Sequence, residues 1–483
     1  MTTKAMRRLR EVPIGAQPID RFLPLLGEER IREAYKLADD VRRRLEGRIF
    51  WNVNSTARGG GVAEMLQSVL PYVRGLGIDA RWLAIDGTPE FFRVTKRLHH
   101  ALHGSVGDGS DLGEQERAIY EQVLAGTAEE LLALVRPRDL VLLHDPQTAG
   151  LAPRLVQAGA IVIWRCHVGG DKPDGEEIGR GWAFLAPYIK DVAATVFSRD
   201  QYIPQCCDHG RSMVIPPSIN AFSPKNQDMD DATVRAILVH TGLVEGPPGA
   251  GSPTFLREDG SLGRVKRHAD VIRLGRAPTW ETPLVVQVSR WDRLKDPVGV
   301  MHGFARLVNG AAPTGAELVL AGPNVNAVAD DPEAAAVMDE VIVAWHRLSH
   351  SDRNRVHLAS LPMADVDENA AIVNALQRHA AVVVQKSLYE GFGLTVTEAM
   401  WKGRPIVASA VGGIQDQIID GESGLLVEDP TDTEAFATAV RRLLEDRAFA
   451  EALGQNARQR AQEQYLGVRH LTQYAELLKR VDK

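Results

Sequence analysis

The sequence predicts an α/β protein built from two doubly wound domains, and three observations predict it. From residue 48 onward, short apolar runs alternate with stretches of helical period. Several runs, among them Leu140-Val141-Leu142-Leu143 and Ile161-Val162-Ile163-Trp164, are apolar without alternation, as parallel strands covered on both faces are. The pattern lapses between about 220 and 282 and then resumes, dividing the chain into two such blocks.

Taken in order, the first 45 residues read as helical and charged, with no chemistry assigned. Arg48 to Val53 reads as a strand, and Val62, Met65, Leu66, Val69, Leu70 and Val73 recur at i, i+3, i+4 and i+7, one face of a helix. Further strands are expected near 78–85, 139–144, 160–165, 193–197 and 213–216. The Gly- and Pro-rich segment EGPPGAGSPTFLREDGSLG carries no period and reads as a linker, a surface insertion or a lid. Leu284 to Val288 restarts the alternation, with a helix over 298–307 and strands near 316–321, 355–358, 380–384 and 405–408. Residues 433–480 read as helical. The expected division is a helical extension over 1–45, a first domain over 46–220, a linker or insertion over 221–282, a second domain over 283–455 and a terminal helix over 456–483.

Composition narrows the function classes. The chain has 483 residues, and 56 Lys plus Arg against 63 Asp plus Glu leave a net charge of −7, which disfavours a general nucleic-acid binder. No stretch approaches the roughly 20 apolar residues of a membrane helix, and no apolar h-region follows the basic start. Cys166, Cys206 and Cys207 cannot make a disulfide framework or a zinc site, so a reduced, cytoplasmic setting is expected.

Ligands of open parallel sheets bind beyond the carboxyl ends of the strands, so the chemistry is expected in βα loops of two domains facing a cleft. The first such loop, Asn54 to Gly61, ends in Gly59, Gly60 and Gly61, which admit an anion to backbone N–H groups at a helix start; glycines alone also suit a flexible turn. It is neither a GxGxxG fingerprint nor a P-loop. After the first strand of the second domain comes Ser289-Arg290-Trp291-Asp292-Arg293-Leu294-Lys295-Asp296. Arg290 and Lys295 suit a diphosphate, or are two solvated cations at a helix start. After the strand Val382-Val383-Val384, the run SLYEGFGLTVTEAM places Glu390 in a loop and Gly391, Phe392, Gly393, Leu394 and Thr395 at a helix N-terminus. Those N–H groups suit phosphate oxygens. Glu398, one turn inside, suits a ribose diol, and Glu390 a donor sugar; a capping Glu and an ordinary helix Glu are the structural alternative.

Glu-x7-Glu with GFG between the acids, preceded by Ser-Arg-x4-Lys, resembles the retaining GT-B glycosyltransferases of the glycogen-synthase-like, family-4 kind, over roughly residues 48–480. VNSTARGGGVAEML, IDGTPEFFRVTKRLHHALHG, LLHDPQ, WRCH and EGFGLTVTEAMWKGRPIV more narrowly resemble the trehalose glycosyltransferring synthases. Longer fungal trehalose phosphorylases share part of the pattern. The resemblance implies a GT-B architecture, with the terminal helix returning to the first domain. It implies transfer of glucose from a nucleoside-diphosphate glucose to free glucose, giving α,α-trehalose with retention by same-face attack. Arg290 and Lys295 would hold the diphosphate leaving group, Glu390 the donor-sugar hydroxyls and Glu398 the ribose. Gly59 to Gly61 would lie near the phosphates, His167 near the reaction centre, and Asp145 against sugar hydroxyls. One departure is Val-Gly-Gly-Asp after His167, where Ile-Asp is expected; another is the long segment 242–282. Another small acceptor, a phosphorylase and a GT-B nucleotide-sugar epimerase stay open as alternatives.

No tightly bound cofactor and no metal ligand are expected, only the nucleotide sugar as co-substrate, with Mg2+ stimulation and a homodimer left open. Partners are small sugars, with neither nucleic acid nor membrane. Asp365-Val366-Asp367 and Asp228-Met229-Asp230 have DxD form, but Asp365 or Asp367 reads better as a helix cap. Cys166, Tyr389 and Trp401 read as packing residues, and His99, His100 and His103 as a solvated face or an acceptor contact.

Overall fold

The computed structural model describes residues 8–57, 61–107, 109–172, 175–247, 249–310, 315–325 and 333–482. It divides into two units, one from the described parts of Met1–Ser218 and Tyr465–Lys483, the other Ile219–Gln464.

In the first unit the apolar runs become strands of a sheet made of β1 (Leu9–Val12), β2 (Phe50–Asn54), β3 (Ala80–Ile85), β4 (Leu140–His144), β5 (Ile161–Cys166), β6 (Ala194–Phe197) and β7 (Ser212–Val214). The order is β1-β3-β2-β4-β5-β6-β7, with β1 antiparallel to β3 and the other pairs parallel. Helix Gly61–Gly75 covers one face through Met65, Leu66, Val69, Leu70 and Val73, five of the six residues in the periodic set, Val62 in the first turn being only half-buried. Trp51, Trp82 and Trp164 are fully buried, and truncating any one would cost about 3–5 kcal/mol. The Trp51 indole N–H donates to Asp139 at 3.1 Å, and Asp139 also accepts from the Ile49 N–H at 3.0 Å, so a buried carboxylate is satisfied at the strand entries. The N-terminal stretch holds strand β1 as well as the helix Leu23–Leu45, because a four-residue edge strand is too short to set a period.

The second unit opens with helix Asp231–His240 and three short strands, β8 (Thr254–Leu256), β9 (Leu262–Arg264) and β10 (Asp270–Ile272). Its sheet continues with β11 (Leu284–Val288), β12 (Glu317–Pro323), β13 (Val356–Leu361), β14 (Val382–Gln385), β15 (Ile406–Ser409) and β16 (Leu425–Val427). The order is β10-β13-β12-β11-β14-β15-β16, parallel except for β10 against β13. The segment 242–282 is therefore not a structureless linker. β8 and β9 form a hairpin, and Arg257 beside it pairs with Asp365 at 2.5 Å and Asp367 at 3.1 Å. Asp365 also N-caps helix Val366–His379, accepting from the N–H groups of Asp367 and Glu368. These carboxylates thus serve a cap and an ion pair.

The last two helices part company. Arg447–Gln464 belongs to the second unit and Gly467–Val481 to the first. In the first unit the fully buried Arg165 guanidinium holds that terminal helix, donating to His470 Nε2 at 2.9 Å and to the Tyr474 hydroxyl. Among the described residues no helix is long and apolar enough to cross a membrane.

Candidate active site

Strand order locates the candidate residues before any side chain is considered. In the first unit the order reverses between β2 and β4, and in the second between β11 and β14, the latter with the classic 3-2-1-4-5-6 winding. Ligands bind outside the carboxyl ends of the strands at such a point. The loops leaving these four strands carry Gly61, Asp145, Arg290, Lys295 and Glu390.

In the second unit, Lys295 Nζ donates to Glu390 Oε2 at 2.5 Å, with both side chains mostly buried. Lys295 closes a short 3-10 turn, Arg293–Lys295, N-capped by Asp292, and the turn is laced to the β14 loop by the Leu388 N–H bonded to Leu294 O at 2.8 Å. Gln287, buried in β11, ties both loops: its Nε2 donates to Lys295 O at 2.9 Å and its Oε1 accepts the Lys386 N–H at 3.0 Å. Arg290 is half-exposed beside Asp292, 3.5 Å away. Gly393 starts helix Leu394–Trp401 at φ 88°, where an added Cβ would lie 3.0 Å from Ile414 and 3.2 Å from Glu390. Gly391 O accepts the Gly413 N–H at 3.1 Å, Gln417 Nε2 donates to Phe392 O at 2.5 Å, and Thr395 Oγ1 donates to Gln385 at 3.0 Å. Leu394, the first helical residue, is half-buried. Glu398 is almost closed off from solvent and pairs with Lys225 Nζ at 3.3 Å. Behind it, burial draws the Lys402 ammonium down to about 7 despite the Glu398 charge.

In the first unit, Gly61 begins helix Gly61–Gly75; Gly59 and Gly60 lie outside the described residues. Asp145 and His167 leave the adjacent strands β4 and β5. The His167 N–H donates to Asp145 Oδ1 at 2.7 Å, and the Asp145 N–H to Arg165 O at 2.7 Å. Asp145 holds φ 63°, ψ 174°, a backbone conformation almost reserved for glycine. Burial raises its carboxyl to about 7, against the pull of the His167 N–H and the Arg165 charge. Burial, reinforced by Arg165, drives the His167 imidazole well below its ordinary range, so it is neutral at pH 7.

His144, His470, Asn52, Arg165, Lys225, Lys386 and Asp296 were not singled out from the sequence. His144 Nδ1 lies 3.2 Å from His167 Nε2 with the rings stacked, and His144 Nε2 lies 3.4 Å from Asn52 Oδ1. Asn52, His144 and Arg165 share one signal, a polar residue inside an apolar, doubly covered strand, as in FWNVN, LVLLH and IVIWRC, because such a residue must find a partner. Tyr389 departs from its expected packing role, being 46% exposed, whereas Trp401 is buried and donates to Asn226 O at 3.0 Å. Cys166 is fully buried. The His99 and His103 rings meet edge to face at 4.6 Å, and His103 Nδ1 contacts Gly169 O at 2.9 Å.

Comparison with known proteins bears on the family and the fold. The family model "Trehalose synthase, N-terminal domain" matches residues 52–204, and "Glycosyl transferases group 1" matches residues 366–460. A trehalose synthase of Pyrococcus horikoshii is 32% identical over 98% of this chain and 99% of its own. A trehalose phosphorylase of Grifola frondosa is 26% identical over 91% of this chain but only 58% of its own length. The fold matches an α,α-trehalose-phosphate synthase (UDP-forming) from Burkholderia vietnamiensis with a TM-score of 0.64, at 18% identity over 90% of this chain and all of that one. Two doubly wound α/β units with this likeness make the fold GT-B. On the breadth of the first similarity, the chain belongs to the trehalose synthase family of glycosyltransferases.

Proposed function

We propose that the protein transfers glucose, with retention, from a nucleoside-diphosphate glucose to free glucose, forming α,α-trehalose. The observation that carries the reading is the Lys295–Glu390 pair at the β11/β14 switch point, which sets a cation for a leaving diphosphate against an acid for sugar hydroxyls. Arg290, on the same loop and half-exposed, supplies the second cation. The helix start at Gly393 to Thr395 turns N–H groups to the phosphates, and Glu398 takes the ribose by exchanging Lys225 for its diol.

In the transfer, the bond from the anomeric carbon to the diphosphate oxygen breaks on the face where the acceptor hydroxyl bonds. The hydroxyl proton passes to the departing phosphate oxygen. Developing negative charge on that oxygen is the main barrier, and preorganised cations act on it without solvent rearrangement. His167, neutral at pH 7, hydrogen-bonds sugar hydroxyls as donor or acceptor without adding charge. Asp145, held by the His167 N–H, accepts from them.

The test is incubation with a panel of nucleoside-diphosphate glucoses plus glucose, the product configuration being read by NMR. α,α-Trehalose with release of the nucleoside diphosphate is expected. The likeness to fungal trehalose phosphorylases supports a second reading, phosphate-dependent cleavage. Trehalose breakdown by inorganic phosphate without nucleotide would favour it, and rapid donor turnover without trehalose would overturn the acceptor assignment.

A further inference from the structure

The two loops that meet at the β11/β14 switch point exchange ion pairs in both directions. The loop after β11 supplies Lys295 and Asp296, and the loop after β14 supplies Lys386 and Glu390. Lys295 pairs with Glu390, and Lys386 pairs with Asp296. The two ammonium groups differ in depth. Lys386 is 1% exposed, and its ammonium also donates to Pro430 O at 2.6 Å. The Lys295 ammonium is the more open of the two, its side chain 16% exposed, while the carboxylates are alike, Glu390 12% and Asp296 19% exposed.

The Lys386–Asp296 pair sits in a prepared place. Asp296 adopts a left-handed backbone, φ 48°, which Asp and Asn tolerate, and it caps helix Pro297–Val308 by accepting the Gly299 N–H at 3.0 Å. A Cβ on Gly299 would lie 1.9 Å from Asp296 Oδ2, so residue 299 leaves room for that carboxylate. A buried ammonium without its carboxylate is strongly unfavourable, so this pair does not open when the outer one does.

We infer that Lys386 and Asp296 are positioning residues, a fixed inner ion pair that keeps Lys295 in register when Lys295 releases Glu390 to take up a donor diphosphate. The inner pair touches no substrate. It acts through one peptide bond on Lys295 and through the β14 loop on Glu390, so both partners of the outer pair stay placed while their mutual contact is exchanged for substrate. This inference rests on the reading of Lys295 as a diphosphate ligand.

A double-mutant cycle tests it. Asp296→Asn keeps the helix cap and the left-handed backbone and removes only the charge; Lys386→Met and Lys386→Arg bracket the other partner. Each is assayed in the full chain with nucleoside-diphosphate glucose and glucose, in the Lys295 and the Lys295→Met backgrounds, with thermal unfolding followed alongside. Asp296→Asn and Lys386→Met should each lower kcat about 10-fold or more where Lys295 is present and under about 3-fold where it is Met, because contacting groups couple. Lys386→Arg should recover most of the loss. Equal losses in both backgrounds would overturn the inference in favour of a general structural role. Near-normal turnover of Lys295→Met alone would instead overturn the diphosphate assignment. If Lys386→Met fails to fold, Asp296→Asn carries the cycle by itself.

Discussion

Replacing Asp145 by Gly should stabilise the protein while disabling it, and the gain should grow with pH. The wild-type residue holds φ 63°, ψ 174°, a conformation that costs a non-glycine residue about 1–3 kcal/mol. Its carboxyl is raised from 3.8 to about 7, mainly by burial, so the folded state binds that proton more tightly than the unfolded chain. Stability from this group therefore falls as pH rises from near 4 to near 7 and is flat above, a loss of about 4 kcal/mol in all. Against these gains stand the loss of an acceptor for the His167 N–H, about 2 kcal/mol, and the freer unfolded chain that Gly allows, about 1 kcal/mol. The net expectation is about 3 kcal/mol of added stability at pH 8 and under about 1 kcal/mol at pH 5. Urea unfolding at both values measures it, and turnover should fall about 100-fold if the carboxylate serves the sugar. A variant that is less stable than wild type at pH 8, or whose gain does not change with pH, would refute the argument.

Two further outcomes follow from the same geometry. Arg290→Ala and Lys295→Ala should each lower kcat by about 10²–10³, roughly 2.7–4 kcal/mol, while binding of the nucleoside diphosphate alone weakens less; steady-state kinetics beside calorimetry would show it, and near-normal turnover in both would remove the leaving-group role. His144, His167 and His470 are all held well below their ordinary value, by burial first and the Arg165 charge second. The unfolded chain protonates them near pH 6.5 while the fold does not, so stability is lost as pH falls below about 6.5. The midpoint of urea unfolding should drop between pH 7.5 and 5.5, and drop more steeply in Asp145→Gly, which lacks the opposing carboxyl.

Much of the fold was legible because long, doubly buried strands write themselves as apolar runs. LVLLH and LVVQV lie in parallel ladders near the places their composition indicates. What escaped was short or at an edge. β1, β8, β9, β10 and β16 have three or four residues each, too few for a period, and several are set by partners distant in sequence, as Asp270–Ile272 is by Ser360–Leu358. The insertion was opaque for a related reason: Arg257 and Arg267 anchor it on Asp365, Asp367 and Glu368, about a hundred residues away. Within the site, Lys295 and Glu390 could each be picked out by motif, whereas the supports Gln287, Asp296 and Lys386 act through hydrogen bonds that no local pattern announces.

The topology explains why those supports cluster where they do. A switch point is the place where crossover helices leave the sheet in opposite directions, so the loops there part instead of packing on one another. That parting admits a ligand, but it also removes the mutual packing that would fix two loops in place. Polar side chains from the strand ends replace it. In the second unit, Gln287 and the Lys386–Asp296 pair do this across β11 and β14. In the first, Asn52 and His144 do it across β2 and β4 with longer, uncharged contacts. The unit with the charged lacing is also the unit with the cations expected to meet a diphosphate. A site that must hold like-charged groups near one another needs fixed counter-charges behind them, whereas a site for neutral sugar hydroxyls does not.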